Sequence, residues 1–187
     1  MGVTAQLRDR LIDRCSDDLI GLRDEILVRV GFDTLCRRAE LVGLRVEDLM
    51  ENERGSISVL VRRAKNDQTG EGRVAPLSSR TTERVHHWLK VSRIDDGALL
   101  RPIYQNNVLR RFLDPVVVSR VLKKLMRRWE QDAELAKRVS GHSLRVGAAQ
   151  QLTMDGHGAI QVMRAGGWRS MNVVARYIEN VDLDLWA

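Results

Sequence analysis

Apolar residues recur three or four positions apart over most of the chain, which is the spacing of one face of an α-helix. The first such run is Leu19, Leu22, Ile26 and Val30. With Ser16 as its N-cap and Gly31 at its end, this run predicts a helix. Further helices are predicted at 34–42 (with Asp33 as the cap), 79–92, 116–130, 144–154, 159–164 and 171–179.

The pattern changes to alternation between residues 46 and 77. Val59 and Val61 alternate with their neighbours in segment 57–63, and the Asn, Asp and Gly residues of 66–72 are typical of a turn. Segment 73–77 can return as the partner strand, with Lys65 at the tip of the hairpin. A further strand near 46–48 would complete an antiparallel three-stranded sheet. Together with the irregular segment 95–115, this predicts an α+β fold that is mainly α-helical.

Length and charge limit the kind of partner. At 187 residues the chain is long enough for one domain with a real core. Its net charge of +6 and pI of about 9.9 indicate an anionic partner, most commonly nucleic acid, although charge alone is equally consistent with a merely basic soluble protein.

The cysteine content and the apolar content favour a cytoplasmic protein. Cys15 and Cys36 are the only cysteines, and no Cys/His cluster has the spacing of a zinc site, so we expect free thiols in a reducing compartment and no bound metal. No apolar run approaches the length of a membrane span. The charged residues 1–15 lack the apolar stretch of a signal peptide.

Two pairs of polar residues lie three positions apart in predicted helices, so each pair shares a face. Glu40 can hold the Arg37 guanidinium so that it binds a phosphate with two hydrogen bonds, although such pairs are also common surface ion pairs. His142 and Arg145 follow Gly141 at a helix start. They can donate to phosphate oxygens, or they can be solvated polar residues.

Three further residues add chemistry to these pairs. Lys65, at the tip of the predicted hairpin, is positioned to enter a groove of a bound partner and act as a general acid. The simpler interpretation is that Lys65 is a solvated surface residue. Trp168 brings an indole N–H donor, or packs in the core. Taken by itself, Tyr177 is best interpreted as a packing residue. A phenol, with an ordinary pKa of about 10, becomes a nucleophile when positive charge or a base lies beside it.

The order of these residues and the strings around them resemble a known family. Arg-Arg-Ala-Glu-Leu, Lys65 before a Gly-rich turn, Gly-His-Ser-Leu-Arg-Val-Gly-Ala-Ala, Ala-Gly-Gly-Trp, and Tyr177 beyond that Trp are similar to the catalytic domain of the tyrosine recombinases. These are the phage integrases and their relatives. The details are most similar to the Cre-like branch, which has Trp rather than His before the nucleophile. The resemblance covers roughly residues 20 to 180.

The resemblance implies a reaction. Tyr177 attacks the scissile phosphate to give a 3′-phosphotyrosine and a free 5′-hydroxyl, and Lys65 protonates the leaving oxygen. Glu40 supports Arg37, and His142 is also a candidate to take the tyrosine proton. The phosphoryl charge is stabilised by Arg37, His142, Arg145 and Trp168. The covalent link conserves the bond energy, so no ATP, metal or other cofactor is required, and the site has cations where a nuclease has carboxylates for magnesium.

The predicted helix at 116–130 carries a run of basic residues, Arg120, Lys123, Lys124, Arg127 and Arg128. Such a run is usually a solvated face. In the Cre-like pattern, however, a base-contacting arginine falls at Arg120, and arginine to guanine is the commonest specific contact in the major groove. We therefore expect this helix to face DNA, with Arg120 contacting a base and the other basic residues, Lys123, Lys124 and Arg127 among them, contacting phosphates.

Members of the family carry an N-terminal helical domain that completes a clamp around DNA. The sequence has no room for this core-binding domain, so residues 1–18 are interpreted as a linker remnant and 19–187 as the catalytic domain. In relatives the segment after the nucleophile docks on a neighbouring protomer, and the apolar residues of 183–186 can dock in the same way. The implied partners are double-stranded DNA and further copies of the chain, as a tetramer on DNA.

Three functions remain open from the sequence. The first is the catalytic domain of a site-specific DNA recombinase, or integrase. The second is a topoisomerase IB-like nicking and closing activity, which uses the same chemistry without a partner site. The third is a non-catalytic DNA-binding protein of the same fold. No Gly-rich phosphate loop, dinucleotide fingerprint or paired-carboxylate motif indicates a small-molecule enzyme.

Overall fold

The computed structural model describes residues 1–62, 72–128 and 133–178, which form helices around a small sheet. The helices of this part are α1 (Ala5–Ile12), α2 (Leu19–Asp33), α3 (Arg38–Gly43), α4 (Ser79–Ser92), α5 (Pro115–Arg127), α6 (Ala133–Arg138), α7 (Ser143–Met154), α8 (Ala159–Gly166) and α9 (Met171–Ile178). The strands are β1 (Leu49–Glu51), β2 (Ile57–Val61), β3 (Arg73–Pro76), β4 (Ile103–Tyr104) and β5 (Asn107–Val108). The predicted class is confirmed: the fold is mainly helical with an antiparallel sheet in the order β1-β2-β3.

Helix α2 is the central helix, and it contacts α1, α3, α4, α5 and α7. Its N-cap is Asp18, whose carboxylate accepts from the Gly21 N–H at 2.7 Å, while the predicted cap Ser16 donates its hydroxyl to Asp18. The helix also continues past Gly31, where it was predicted to end. A Cβ on that residue would lie 2.8 Å from Leu144 Cδ1, so Gly31 is a packing residue that lets α7 approach α2.

The turn between α2 and α3 replaces the start of the helix predicted at 34–42. Leu35 has a φ of 51°, in the left-handed region, and α3 begins only at Arg38. The predicted cap Asp33 is the last residue of α2, and its carboxylate accepts from the Ser78 backbone N–H at 2.9 Å and from the Ser78 hydroxyl at 2.8 Å. The prediction was wrong at this end because a tertiary contact takes the carboxylate of Asp33.

The three-stranded sheet pairs as predicted, with one displaced strand. Val59 lies opposite Leu49 on β1 and opposite Ala75 on β3. The predicted strand at 46–48 is a 3₁₀ turn, Val46–Asp48, closed by a hydrogen bond from the Arg45 N–H to the Asp48 carboxylate, and β1 follows directly after it. The connection between β2 and β3, which includes Lys65, lies outside the described residues.

Helix α1 and the β4–β5 hairpin were not predicted. The charged residues of α1 obscure the buried Leu7 and Leu11, which face the core. In the segment expected to be irregular, Gln105 and Asn106 both have positive φ, which is the geometry of a tight two-residue hairpin turn. The helices predicted at 79–92 and near 144, 159 and 171 are confirmed within two residues at the ends that the structure describes, and the helix predicted at 116–130 is α5, which ends three residues earlier, at Arg127. None of the described helices is both long and apolar enough to cross a membrane.

The first residues of the chain pack onto the N-terminal half of α7. The Val3 N–H donates to the Ser143 carbonyl at 2.8 Å, and the Val3 side chain is fully buried. A Cβ on Gly147 would lie 1.7 Å from the Val3 carbonyl oxygen, so only glycine permits this approach. Residues 3–11 therefore belong to the same core as the later helices, and the domain boundary drawn at residue 18 stays a prediction.

We expect Gly147→Ala to lower the free energy of unfolding by about 1–3 kcal/mol, because the added methyl group overlaps the backbone of Val3. Gly43→Ala is the matched control, since a Cβ at Gly43 meets nothing within 4 Å and its helical backbone accepts alanine. Urea unfolding of both variants measures the difference. Equal stability of the two variants would show that the first residues do not pack on α7.

Candidate active site

The guanidinium of Arg145 lies at the centre of the predicted site. Arg145 lies in the first turn of α7 and is 1% exposed, and its Nη1 donates to the Leu35 carbonyl at 2.5 Å. Its Nε and Nη2 are buried with no hydrogen-bond partner among the described residues. Burial, followed by repulsion from Arg37, lowers the pKa of Arg145 to about 10. Each unpartnered buried donor costs about 1–3 kcal/mol, so the arrangement suits an anion that accepts from both.

The backbone turn at Leu35 aims its carbonyl at Arg145. A non-glycine residue in the left-handed region costs about 1–3 kcal/mol, and such residues persist where the surroundings determine the conformation. The Leu35 side chain is buried in the core, which holds the turn in place. The turn therefore joins the segment that carries Arg37 to the helix that carries Arg145.

Arg37 is held by Glu40, as the sequence predicted from their spacing. The Arg37 Nη1 lies 2.6 Å from Glu40 Oε1, and the Arg37 backbone N–H donates to Oε2 at 2.9 Å. The Arg37 side chain is 55% exposed, so the rest of its guanidinium faces solvent. Burial alone would raise the pKa of Glu40, but the hydrogen bonds and charge of Arg37, with the charge of Arg73, lower it overall.

Tyr177, His142 and Trp168 meet on the other side of Arg145. The His142 Nε2 lies 2.6 Å from the Tyr177 hydroxyl oxygen, and the Tyr177 ring lies 5.1 Å from the Trp168 ring, centroid to centroid. The Arg145 Cζ lies 4.0 Å from the Trp168 ring centroid, a cation–π contact. Five predicted residues thus share one site, namely Arg37, His142, Arg145, Trp168 and Tyr177, with Glu40 behind Arg37. Lys65 lies outside the described residues.

The protonation of His142 determines the direction of its hydrogen bond with Tyr177. Desolvation, followed by repulsion from Arg145 and Arg37, lowers the pKa of His142. A neutral imidazole offers one ring nitrogen as an acceptor, so the Tyr177 hydroxyl can donate to Nε2. Because the unfolded chain, with a histidine pKa near 6.5, binds this proton more readily, the stability contributed here is present above about pH 6.5 and falls as the pH decreases below it.

Arg73 is a site residue that sequence reasoning missed. Its Nη1 donates to the Ala165 carbonyl at 2.9 Å, and its Nη2 lies 4.0 Å from Glu40 Oε2. A Cβ on Gly167, which has a φ of 66°, would lie 3.0 Å from Arg73 Cδ. Strand β3 is thereby joined both to the carboxylate behind Arg37 and to the glycine turn before Trp168. An arginine at the start of a strand gives no local signal of this role.

Helix α5 contacts the site through Ser119. The Gly141 N–H donates to the Ser119 hydroxyl at 2.9 Å, which fixes the residue before His142 against α5. This helix turns its apolar face to the core and leaves the opposite face to solvent. Arg120 and Arg127 are exposed on the outward face and Lys123 is half-buried at its edge, the three lying three to seven positions apart. We call these three residues the basic stripe.

Lys124 differs from the other basic residues predicted on this helix. Its Nζ lies 2.7 Å from an oxygen of Asp24, and Asp24 is fully buried in α2. Arg23 Nη2 lies 2.7 Å from the other oxygen of Asp24, so this carboxylate has two cations, and the ion pair gives Lys124 a structural role without DNA. The phosphate contact of Lys124 stays a prediction, and the ion pair competes with it although the Lys124 side chain is 44% exposed.

Two further features bear on cofactors and redox chemistry. Both Cys15 and Cys36 are free thiols, as predicted, and burial raises the pKa of Cys15 to about 12. In the part of the chain that the structure describes, no three His, Cys, Asp or Glu side chains are grouped so as to hold a metal ion.

Comparisons with known proteins identify the fold and the family. The fold is that of DNA recombinases: it superposes on the XerH site-specific recombinase bound to palindromic difH substrate with a TM-score of 0.75 at 17% identity, over 97% of this chain and 50% of that one. On the XerA recombinase the TM-score is 0.70 at 20% identity, over 95% of this chain and 58% of that one. The family model described as Phage integrase family matches residues 3–183, and the chain belongs to this family.

Similar sequences include two characterised by name as recombinases. The chain is 29% identical over 186 residues to "Recombinase cre" of Escherichia phage P1, covering 94% of this chain and 53% of that protein. It is 34% identical over 170 residues to an integrase/recombinase xerD homolog of Selenomonas ruminantium, covering 87% of this chain and 49% of that protein. The predicted family is confirmed, and the chain spans about half the length of these relatives.

If the five-residue site binds phosphate, inorganic phosphate should raise the pKa of His142, because the anion offsets the repulsion from Arg145 and Arg37. We expect an NMR titration of the imidazole nitrogens to give a midpoint below about 6.5 without phosphate and a higher one with it. His142→Gln identifies the signal, and Arg145→Gln should lose the phosphate-induced rise. A midpoint that phosphate leaves unchanged in the wild type would contradict the anion site.

Proposed function

We propose that the chain is the catalytic domain of a site-specific DNA recombinase that cuts and rejoins double-stranded DNA through a 3′-phosphotyrosine at Tyr177. The observation that carries the proposal is the position of the Tyr177 hydroxyl, 2.6 Å from His142 Nε2 and beside Trp168, whose ring stacks on Arg145. Family membership adds the class of reaction. Since the chain spans about half of its relatives, the activity of the whole protein is part of this proposal.

The site supplies positive charge where negative charge accumulates. In the transition state of phosphoryl transfer, negative charge spreads over the non-bridging oxygens of the phosphoryl group. Fixed hydrogen-bond donors lower the activation barrier because they do not have to reorganise during the reaction. The unpartnered Nε and Nη2 of Arg145 and the exposed part of the Arg37 guanidinium are such donors. Glu40 keeps Arg37 in place without neutralising its outward nitrogen atoms.

Tyr177 acts as the nucleophile in this proposal, with His142 as its proton acceptor. An O–P bond forms between the tyrosine hydroxyl and the scissile phosphorus as the bond from phosphorus to the 5′-oxygen breaks. The tyrosine proton passes to His142 Nε2, which is neutral at physiological pH because its pKa is lowered. Lys65 supplies the proton for the leaving 5′-oxygen. Attack by a 5′-hydroxyl on the phosphotyrosine reverses each step and rejoins the strand.

DNA binding falls to the surface around the site. The net charge of +6 favours a polyanion, and the basic stripe lies on the helix that is tied to the active site through Ser119. We assign a base contact to Arg120 and phosphate contacts to Lys123 and Arg127. XerH was solved bound to its difH substrate, which supports DNA as the partner of this chain. Assembly as a tetramer on DNA and a cytoplasmic, nucleoid-associated location belong to the same proposal.

Two alternatives make different predictions. A topoisomerase IB-like enzyme would relax supercoiled plasmid without producing recombinants. A non-catalytic DNA-binding protein would form no covalent adduct, and its affinity would not depend on Tyr177. The contact between His142 and the Tyr177 hydroxyl favours the catalytic functions, because DNA binding alone does not require a base beside a phenol.

Covalent trapping tests the proposed function. Nicked duplexes of random sequence let the short cut product escape, so an adduct accumulates and is read on a denaturing gel. We expect an adduct with the wild type and none with Tyr177→Phe. Arg145→Ala should lose about 10²–10³ in rate, since it removes two preorganised donors. Because the relatives are about twice as long, the assay is run both with the chain alone and with a relative's N-terminal domain fused to it. The proposal is contradicted if the wild-type protein forms no adduct in either form.

The ion pair of Lys124 predicts a contrast between neighbouring lysines. Lys123→Gln should weaken DNA binding and reduce the salt dependence of the affinity by about one phosphate contact, with stability unchanged. Lys124→Gln should instead lower the free energy of unfolding by about 1 kcal/mol, because Asp24 loses one of its two cations while Arg23 stays bound and the lysine is partly exposed. Fluorescence anisotropy and urea unfolding measure the two effects, and the reverse pattern would restore Lys124 to the DNA-binding surface.

A further inference from the structure

We propose that Arg38 binds a DNA phosphate neighbouring the scissile one, on the side that leads to the basic stripe. The proposal rests on the proposed function, because it takes the Arg37 and Arg145 site as the position of the scissile phosphate. It assigns a binding role to a residue to which neither the sequence motifs nor the catalytic contacts give one. Three features of Arg38 support the proposal: the position of its aliphatic stem, the unpaired charge of its guanidinium and the direction in which its side chain leaves the backbone.

The stem of Arg38 is fixed between the active site and α5. A Cβ built on Gly141 would lie 3.3 Å from Arg38 Cβ, 3.4 Å from Arg38 Cδ and 3.0 Å from the Ser119 hydroxyl oxygen. Gly141 precedes His142, Ser119 precedes Arg120, and Arg38 follows Arg37. Arg38 therefore lies where the phosphate site and the basic stripe approach each other.

The charge of Arg38 is not used within the described part of the chain. Its neighbour Arg37 is held by Glu40, and Lys124 on α5 is held by Asp24. Arg38 is exposed and forms no hydrogen bond or ion pair with another described residue. An arginine with a packed stem and a free guanidinium loses less side-chain entropy when it binds a phosphate than a fully mobile one does.

Arg38 faces a different phosphate from the one at Arg37. Arg37 is the extended N-cap residue of α3 and Arg38 is its first helical residue, so the two side chains leave the backbone in different directions. The guanidinium of Arg37 is directed by Glu40, and Arg38 instead lies against Gly141. The DNA strand would then run from the scissile phosphate past Gly141 to Arg120, with Arg38 as the intermediate contact.

The salt dependence of DNA binding tests the proposal. The probe is a fluorescent duplex of random sequence, and the affinity is measured by anisotropy at several salt concentrations. Neutralising one phosphate contact reduces the slope of log K against log salt by about 0.9. We expect that reduction for Arg38→Gln, which keeps the aliphatic stem, and a slope close to the wild type for Arg38→Lys. Lys90→Gln, an exposed position on α4, is the control for loss of charge and should keep the wild-type slope.

The outcomes separate Arg38 from the proposed function. A wild-type slope for Arg38→Gln overturns the proposal, as does an equal loss in Lys90→Gln, since the effect would then come from net charge. Both results leave the covalent trapping with Tyr177 unaffected. A wild type without salt-dependent binding would contradict the proposed function as well. Circular dichroism of each variant shows that the fold is intact.

A second measurement locates the contact on the strand. On a duplex that the wild type cleaves, single phosphates near the cut are replaced by neutral methylphosphonates. We expect the replacement next to the scissile position, on the side towards α5, to weaken the wild type and to have no further effect on Arg38→Gln. Additive losses at that position would place Arg38 elsewhere and overturn the proposal.

Discussion

The burial of a charged arginine is the constraint on which the site depends. Arg145 is buried away from solvent, and its guanidinium forms one hydrogen bond, to the Leu35 carbonyl, and a stacking contact with Trp168. These contacts bring together the α2–α3 turn, the start of α7 and the segment after α8, which are far apart in the sequence. Two buried nitrogen atoms of the guanidinium have no acceptor among the described residues and can donate hydrogen bonds to an anion. In this account, the free-energy cost of burying these donors is recovered when a phosphate binds.

Contacts elsewhere in the fold hold these three segments in position relative to one another. Arg73 ties strand β3 to Glu40 and to the carbonyl of Ala165, and Ser119 ties helix α5 to Gly141. Glycines make the close approaches possible: α7 meets α2 at Gly31, and the first residues meet α7 at Gly147. The catalytic side chains thus stand on packed helices and strands, and preorganised donors of this kind contribute most to phosphoryl transfer.

The sequence predicted the fold class and the family well because both depend on local signals. Periodicity located the main helices, and the strings around Arg37, His142 and Tyr177 identified the family. The errors arose where long-range contacts decide the structure. Gly31 was predicted to end a helix, but α2 continues past it and Leu144 packs there. Asp33 was predicted to cap the next helix, but its carboxylate accepts from Ser78.

Arg73 shows the same limit within the site. No spacing rule connects a residue at the start of β3 with a carboxylate on α3 and a carbonyl on α8, because only the folded chain brings them together. The left-handed turn at Leu35 was equally hidden, since leucine gives no indication of positive φ. What the sequence leaves out is therefore the set of contacts that position the catalytic residues, more than the residues themselves.

The central claim is that the Tyr177 hydroxyl becomes bonded to DNA phosphorus, and the site of attachment tests it most directly. The chain has two tyrosines, Tyr104 and Tyr177, so protease digestion of a trapped complex followed by mass spectrometry distinguishes them. The account predicts a nucleotide mass on the peptide that contains Tyr177 alone. A nucleotide attached to Tyr104, or to any other side chain, would contradict it.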